Sequence, residues 1–275
     1  MTAGAFDDKL AEWRAWTEAP WGRIRFAVVA ETLRRQAAEL GGPLRVLDVG
    51  GGDGGDAIPL ARAGHDVTVV DPAPEWLAEA RHRADEAGVP LTTVTGGLDD
   101  LPVAGPYDLV LCHFVLHYRP AEAGDVARLA AVVRPGGRLS VMAPNPAAMV
   151  LMRLTRGGPE AALDELASAT RRSVTFDHEA RKITAEAIAD EMAAAGLAPV
   201  ARYGTRIAND LLTDDRAKHD PAYFSRLLEL ELALCDREPF LRVGGMWQLV
   251  AERPRRPLDG PSGGRADAGG AGPRW

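Results

Sequence analysis

Glycine is concentrated in the stretch LRVLDVGGGDGGDAIPL, from Leu44 to Leu60. Gly50, Gly52 and Gly55 match the pattern G-x-G-x-x-G, after a β-branched, apolar run and before a run of helix-forming residues. A turn this tight needs residues without a Cβ atom, because they reach positive φ and let the main chain approach a ligand closely. The stretch therefore predicts a strand, a ligand-binding turn and a helix.

Two aspartates near the turn bear on the choice between a dinucleotide and S-adenosylmethionine as its ligand. Asp71 follows the glycines by about twenty residues, where a carboxylate can accept both ribose hydroxyls of an adenosine. Dinucleotides and S-adenosylmethionine both contain adenosine, so Asp71 does not separate them. Asp48 does, because a charge inside a strand is costly unless it holds something. A sulfonium cofactor has a positively charged amino acid end, which Asp48 fits better than it fits a pyrophosphate.

Further candidates follow the third and fourth expected strands. In GGLDDL, Gly97 and Leu98 offer main chain and apolar surface for an adenine, with Asp99 as an acceptor for its amino group. In YDLVLCHFVLHYRP, His113 and His117 are candidates for a general base, which is needed only if the group that reacts with the cofactor is a hydroxyl or an amine. A carboxylate, with a pKa near 4, is already ionised and needs no base.

A substrate anion needs a cation, and bidentate pairing favours arginine. Arg206, in YGTRIAND, is the candidate for that anion, with an exposed surface arginine as the alternative. Arg25 precedes the first strand, where it could meet the cofactor carboxylate. Trp13, Trp16 and Trp21 are interpreted either as a helix packed on the core or as an aromatic lid. Glu229, Glu231 and Glu238 are expected on the solvated face of a helix.

The elements that would position these residues alternate along the chain, as expected for βαβ units around a parallel sheet. We expect an amphipathic helix through Phe26 and Leu40 before the sheet, an irregular segment at RRSVTFDHEARK, and a helix capped by Thr184. The strands are expected at LRVLDVG, DVTVV, LTTV, YDLVLCH, RLSVMA, APVARYG and GGMWQLVAER; the helices between the first five are expected at Ala57–Ala63, Pro74–Ala87 and Ala121–Val133, the last running into the turn RPGG.

Composition narrows the function classes. The chain has 275 residues, 46% of them hydrophobic, enough for one α/β domain with an elaboration. A net charge of −7 gives no global reason for a nucleic-acid or membrane partner. Its 2 cysteines are too few for a zinc site or a disulfide framework. We therefore expect a reduced, cytoplasmic setting. No signal peptide, membrane span or metal site is expected, and the oligomeric state is left open.

Four stretches in order, VLDVGGGDGG, VVDPAPEWLAEAR, DLVLCHFVLHY and LAAVVRPGGRLSVM, resemble the motifs of class I S-adenosylmethionine-dependent methyltransferases. The resemblance implies an α/β, Rossmann-like, doubly wound seven-stranded sheet, mostly parallel with an antiparallel last strand and helices on both faces. It also implies S-adenosyl-L-methionine as the cofactor.

A closer resemblance extends outside this core. FDDKLAEW, GRIRFAVV, YGTRIANDLL and LLELELALCDREPFLRVGGMWQLVAERP are similar to segments of the bacterial tRNA 5-carboxymethoxyuridine methyltransferases, which esterify the carboxylate of a modified wobble uridine. The combined sequence reading places the cofactor on Arg25, Asp48, Gly50, Gly51, Gly52, Asp71, Pro72, Gly97, Leu98 and His113, and the substrate near Arg206, His117 and Tyr118.

The domain expected from these motifs spans residues 1–253, with a helical cap over about 1–40, a helical insertion over about 206–240 and a disordered tail over 254–275. The acceptor stays open between a tRNA anticodon and a small carboxylate or other secondary metabolite. A nicotinamide-dependent oxidoreductase and a non-catalytic binder are the alternatives from other classes.

Overall fold

A computed structural model describes residues 9–101, 105–172 and 179–255. Parts of the predicted cap, irregular segment and tail, at residues 1–8, 173–178 and 256–275, lie outside the described residues. The α-helices are α1 Leu10–Glu18, α2 Pro20–Leu40, α3 Ala57–Arg62, α4 Pro74–Glu86, α5 Asp125–Val132, α6 Pro146–Ala167, α7 Ala185–Ala194, α8 Ile207–Leu211 and α9 Pro221–Leu234. The strands are β1 Arg45–Val49, β2 Asp66–Asp71, β3 Thr92–Thr95, β4 Tyr107–His113, β5 Val133–Pro144, β6 Thr170–Arg172, β7 Glu179–Arg181, β8 Ala198–Thr205 and β9 Met246–Glu252.

Seven strands form the main sheet in the order β3-β2-β1-β4-β5-β9-β8. The first five pair in parallel, and β9 runs antiparallel to both of its neighbours. The predicted sheet, with its antiparallel last strand, is confirmed. Because the strand order reverses between β1 and β4, a crevice opens at the carboxyl ends of these strands, where α/β proteins bind ligands.

Helices cover both faces of the sheet because the strands alternate their apolar side chains. Val46 and Leu109 pack with Val29 and Leu33 of α2, in a cluster that includes α3 and α4 residues. Leu47, Val110 and others pack on the opposite face with α5 and α7. Burying one Leu or Val side chain stabilises the folded state by roughly 1.5–3 kcal/mol. The well-packed sheet therefore holds the loops at its edge in position.

Three expectations about local structure are wrong. The helix expected at Ala121–Val133 begins only at Asp125, after a short 3₁₀ turn that ends at Gly124 with φ of 68°. The RPGG turn lies inside β5, where Gly136 N donates to Arg253 O of the extended chain beyond β9. In the segment expected to be irregular, Thr170–Arg172 and Glu179–Arg181 pair as a separate two-stranded sheet.

One residue of the helix near the end of the chain also differs from the sequence expectation. Glu231, expected on the solvated face of α9, is fully buried. Its carboxylate accepts hydrogen bonds from the Ile207 and Asn209 main-chain N atoms, both at 2.8 Å. It thus satisfies N–H groups at the start of α8, which have no partner within that short helix. Thr184 caps α7 as predicted, with its Oγ1 accepting from Ala187 N at 3.2 Å.

Candidate functional site

One cavity of about 770 Å³ opens at the carboxyl ends of β1, β2 and β4. Every site residue predicted from the sequence lines it: Arg25, Asp48, Gly50, Gly51, Gly52, Asp71, Pro72, Gly97, Leu98, His113, His117, Tyr118 and Arg206. The topology brings them together because the strands are parallel and their carboxyl ends share one edge. Which of them contact a ligand stays a prediction.

The glycine turn is fixed by its main chain. Gly50 has φ of 70° and Gly52 has φ of 53°, in the left-handed region that favours glycine. A Cβ atom at Gly50 would also overlap the Val115 side chain. A Cβ atom at Gly55 would overlap the ring of Phe26 on α2. The turn is therefore shaped by tertiary packing as well as by its need to face the cavity.

Asp48 lies at the base of the turn and is 2% exposed. Its Oδ2 atom is buried and has no hydrogen-bond partner among the described residues. Burial, reinforced by the nearby Asp56 carboxylate, raises the pKa of Asp48 well above its ordinary value. An orphaned carboxylate at a cavity wall is what a cationic ligand group would satisfy, so the residues present fit the amino acid end of S-adenosylmethionine.

The cavity also contains groups that could bind the adenosine end of S-adenosylmethionine. Asp71 is held by two main-chain donors, Ala73 N at 2.9 Å to Oδ1 and Gly52 N at 3.0 Å to Oδ2, so its carboxylate is fixed at the end of β2. Space is open around the position a Cβ would take at Gly97. Asp99, expected to accept from an adenine amino group, is instead bound by both terminal nitrogens of Arg119 at 2.8 Å.

A buried network that the sequence reasoning missed lies under the amino acid end. Arg25 pairs with Asp56 through both carboxylate oxygens, with Nη2 and Oδ2 at 2.7 Å. Asp56 Oδ2 also lies 2.8 Å from His113 Nδ1, and His113 Nε2 lies 2.9 Å from Ser140 Oγ. With both ring nitrogens engaged, His113 is not available as a general base. The sequence reasoning had named Arg25 and His113 as cofactor-site residues but not Asp56, the residue that joins them.

The other end of the cavity carries the predicted substrate residues. His117 is 2% exposed, and its ring lies 4.1 Å from that of Tyr118 and 6.1 Å from that of Phe114. Arg206 has φ of 60°, and its Nε and Nη2 atoms bind Asp210 at 2.9 and 2.7 Å. The arginine predicted to face a substrate anion is thus already paired with a carboxylate.

Aromatic residues of the N-terminal helices cover the glycine turn. Trp13 and Trp16 on α1 are stacked with ring centroids 5.1 Å apart, and both line the cavity. Trp13 Nε1 donates to Asp53 Oδ2 at 3.0 Å. None of the residues of α1 is fully buried, but Trp16 packs against the core cluster that contains Leu33 and Leu60. This helix therefore both covers the cavity and packs on the core.

This geometry can be compared with known proteins. A family model for a methyltransferase domain matches residues 46–137, the segment that carries β1 to β5 and the glycine turn. Residues 46–137 form a methyltransferase domain. The predictions of a methyltransferase, and of S-adenosylmethionine as its cofactor, are confirmed. The oxidoreductase that the glycine pattern alone allows is thereby set aside.

Relatives of the methyltransferase domain agree with this family. The chain is 28% identical over 239 residues to the tRNA 5-carboxymethoxyuridine methyltransferase of Escherichia coli (strain K12), covering 85% of this chain and 90% of the relative. It is 37% identical over 111 residues to a ubiquinone biosynthesis O-methyltransferase of Xanthomonas axonopodis pv. citri, covering 39% of this chain and 46% of that one.

The methyltransferase domain also has neighbours among solved structures. The magnesium protoporphyrin IX methyltransferase of Synechocystis superposes with a TM-score of 0.62 at 22% identity, over 91% of this chain and 97% of that one. This likeness shows that the two chains share a fold. Among the described residues, no helix is both long and apolar enough to cross a bilayer, and no cluster of side chains could hold a metal ion.

Proposed function

We propose that the chain transfers the methyl group of S-adenosylmethionine to a carboxylate, and that this carboxylate belongs to 5-carboxymethoxyuridine at the wobble position of a tRNA in the cytoplasm. The observation that carries the proposal is the length of the similarity to the Escherichia coli enzyme. It spans 85% of this chain and 90% of that enzyme, well beyond the methyltransferase domain at residues 46–137.

The cofactor would be held at three points. Asp48 would accept from the ammonium group and Arg25 would meet the carboxylate of the methionine end. Asp71 would accept from the ribose hydroxyls, while Gly97 and Leu98 would form the surface under the adenine. The cofactor supplies a methyl group already activated by its sulfonium, so the protein's contribution is to orient the acceptor and exclude water.

Of the two candidate general bases, His113 is held away from that role, and a carboxylate acceptor depends on neither His113 nor His117. His113 has both ring nitrogens engaged, and burial lowers its pKa, opposed by the Asp56 hydrogen bond. A carboxylate acceptor, ionised at neutral pH, is a competent nucleophile without a base. Arg206 would orient it, because Nη1 makes no hydrogen bond to a described residue while Nε and Nη2 hold Asp210.

A second candidate is a small-molecule methyltransferase, and the charge of the cavity favours it. Aspartates outnumber arginines among the described residues that line the cavity. Each of the arginines there has a carboxylate partner: Arg25 has Asp56, Arg119 has Asp99 and Asp125, and Arg206 has Asp210. Arginines whose charge is balanced by a neighbouring carboxylate attract a polyanion only weakly. Since tRNA binding depends on contacts to phosphates, this cavity is less suited to tRNA than to a small molecule.

The two candidates are separated by methyl uptake. Labelled S-adenosylmethionine is incubated with the chain and with tRNA from a strain of the source organism that lacks the gene, and the nucleosides are then analysed by mass spectrometry. The tRNA proposal expects a methyl ester on the wobble uridine. No uptake by this tRNA, together with normal S-adenosylhomocysteine binding, would refute tRNA as the acceptor and support the second candidate.

Arg206→Gln tests the role of Arg206 within that assay. We expect the KM for the acceptor to rise roughly tenfold or more, the loss of one charged hydrogen bond, with unchanged affinity for S-adenosylhomocysteine. Arg216→Gln is the matched control, because Arg216 is exposed and lies outside the cavity lining. Equal KM values for the two variants would exclude Arg206 from acceptor binding.

A further inference from the structure

The Arg25, Asp56 and His113 side chains come from three separate elements. Arg25 lies on α2, Asp56 directly precedes α3, and His113 ends β4. All three are at least nine-tenths buried and all three line the cavity. Asp56 is the shared partner, because its Oδ2 atom accepts from Arg25 Nη2 at 2.7 Å and lies 2.8 Å from His113 Nδ1.

The protonation of this group follows from its partners. Burial by itself would raise the pKa of Asp56, but the Arg25 guanidinium and the His113 hydrogen bond hold it well below its usual range. Burial lowers the pKa of His113, so its ring is neutral and donates one hydrogen bond to Asp56. A carboxylate only accepts. His113 therefore carries its proton on Nδ1 and accepts at Nε2 from the Ser140 hydroxyl.

The hydrogen bonds beyond His113 Nε2 are consistent with this tautomer. Ser140 Oγ lies 2.9 Å from His113 Nε2 and accepts from Gln248 Nε2 at 3.0 Å. Gln248 Oε1 in turn accepts from the Thr32 hydroxyl at 2.7 Å. The one hydroxyl proton of Ser140 is then directed at the ring. His113 is therefore held at both of its nitrogens, by Asp56 and by Ser140, whereas Arg25 Nε has no hydrogen-bond partner among the described residues.

We propose that Asp56 is the positioning residue of the cofactor site: it fixes the guanidinium of Arg25 and the ring tautomer of His113 where the methionine end of the cofactor binds. The proposal rests on the proposed placement of that end beside Arg25 and Asp48. Asp56 acts through its two partners and does not itself touch the cofactor.

Asp56→Asn is the informative change because it keeps the shape and removes one acceptor. An amide offers one oxygen and one NH₂ group, and both Arg25 and His113 present donors to this position. The NH₂ group must therefore face Arg25, which displaces the guanidinium, or His113, which forces the ring proton to Nε2. We expect the Kd for S-adenosylhomocysteine to rise at least about tenfold, the usual effect of losing one charged hydrogen bond.

Asp108→Asn is the matched control for lost stability. Asp108 also forms an arginine pair, with Arg134, and accepts from Arg45 N at 2.7 Å, but it lies at the opposite end of β4. We expect this variant to bind S-adenosylhomocysteine within about twofold of the wild type, although it also loses an ion pair. Wild-type or tighter binding by Asp56→Asn in calorimetric titration overturns the proposal.

The tautomer of His113 gives a readout that does not depend on a variant folding. In the ¹⁵N spectrum of the wild-type chain, the His113 ring must show a protonated Nδ1 and a bare Nε2 at pH 7. A proton on Nε2, or a charged ring, refutes the role of Asp56. If the wild type fails to bind S-adenosylhomocysteine, the proposed cofactor placement fails instead, while the ring spectrum still tests the network.

Discussion

Replacing Asp48 by asparagine should stabilise the cofactor-free chain and weaken cofactor binding. Oδ2 of Asp48 is buried and has no hydrogen-bond partner among residues 9–101, 105–172 and 179–255, and burial raises the pKa of this carboxyl. An unsatisfied buried polar group costs about 1–3 kcal/mol, and an uncharged amide avoids most of the cost of the charge. At roughly 2–4 °C per kcal/mol for a chain of this size, Tm should rise by roughly 2 to 10 °C.

The same substitution removes a charged hydrogen bond to the ammonium group of the cofactor. Such a bond contributes about 1.5–3 kcal/mol, so the Kd for S-adenosylhomocysteine should rise roughly 10- to 150-fold. Thermal unfolding by circular dichroism measures the first effect and calorimetric titration measures the second. Asp190→Asn is the isosteric control, because Asp190 is exposed on α7 and lies outside the cavity lining.

The pH dependence of this stabilisation has a defined sign. Folding raises the pKa of Asp48, so the native state binds its proton more tightly than the unfolded chain does. The penalty is absent below the unfolded pKa of about 3.9, grows as the pH rises from there towards the raised native value, and keeps its full size above that value. The Tm difference between Asp48→Asn and wild type should therefore shrink as the pH falls towards 4. A lower Tm for the variant at pH 7, or an unchanged Kd, would refute the reasoning.

Three further predictions concern the same elements. Gly50→Ala should lower Tm by several degrees, through its φ of 70° and its overlap with Val115, whereas Gly97→Ala, with open space around it, should leave Tm unchanged in the same melt. Glu231→Gln should lower the free energy of unfolding in urea by about 1–3 kcal/mol, because an amide offers one acceptor to two main-chain donors; an unchanged midpoint would contradict its capping role. Because burial lowers the pKa of His113 from its ordinary value of about 6.5, the profile of kcat against pH should show no midpoint from this ring between pH 6.5 and 8. A wild-type midpoint in that range that His113→Asn abolishes would count against a neutral His113.

Local sequence patterns were enough for most of the fold. Val46, Val67 and Leu109 lie in apolar runs of strand length, and the strands built from such runs were found close to their predicted bounds. These patterns are informative because a strand or helix is selected by which of its faces is apolar. The pairing of β6 with β7 was missed, since such short strands carry little apolar pattern and are held by their partner.

The partners of charged residues were harder to predict from the sequence, because they depend on neighbours that are distant in the chain. The sequence alone determined that Asp48, Asp71 and the glycine turn would meet at the ends of parallel strands, since topology fixes where those ends lie. Only the tertiary structure decided which charges are already paired between elements: Arg25 with Asp56, 31 residues away, and Asp99 with Arg119, 20 residues away. It also decided that Oδ2 of Asp48 has no hydrogen-bond partner in the described part of the chain and that Glu231 is buried. Pairing depends on distances of a few ångströms between side chains of different elements, and hydrophobic periodicity does not encode those distances.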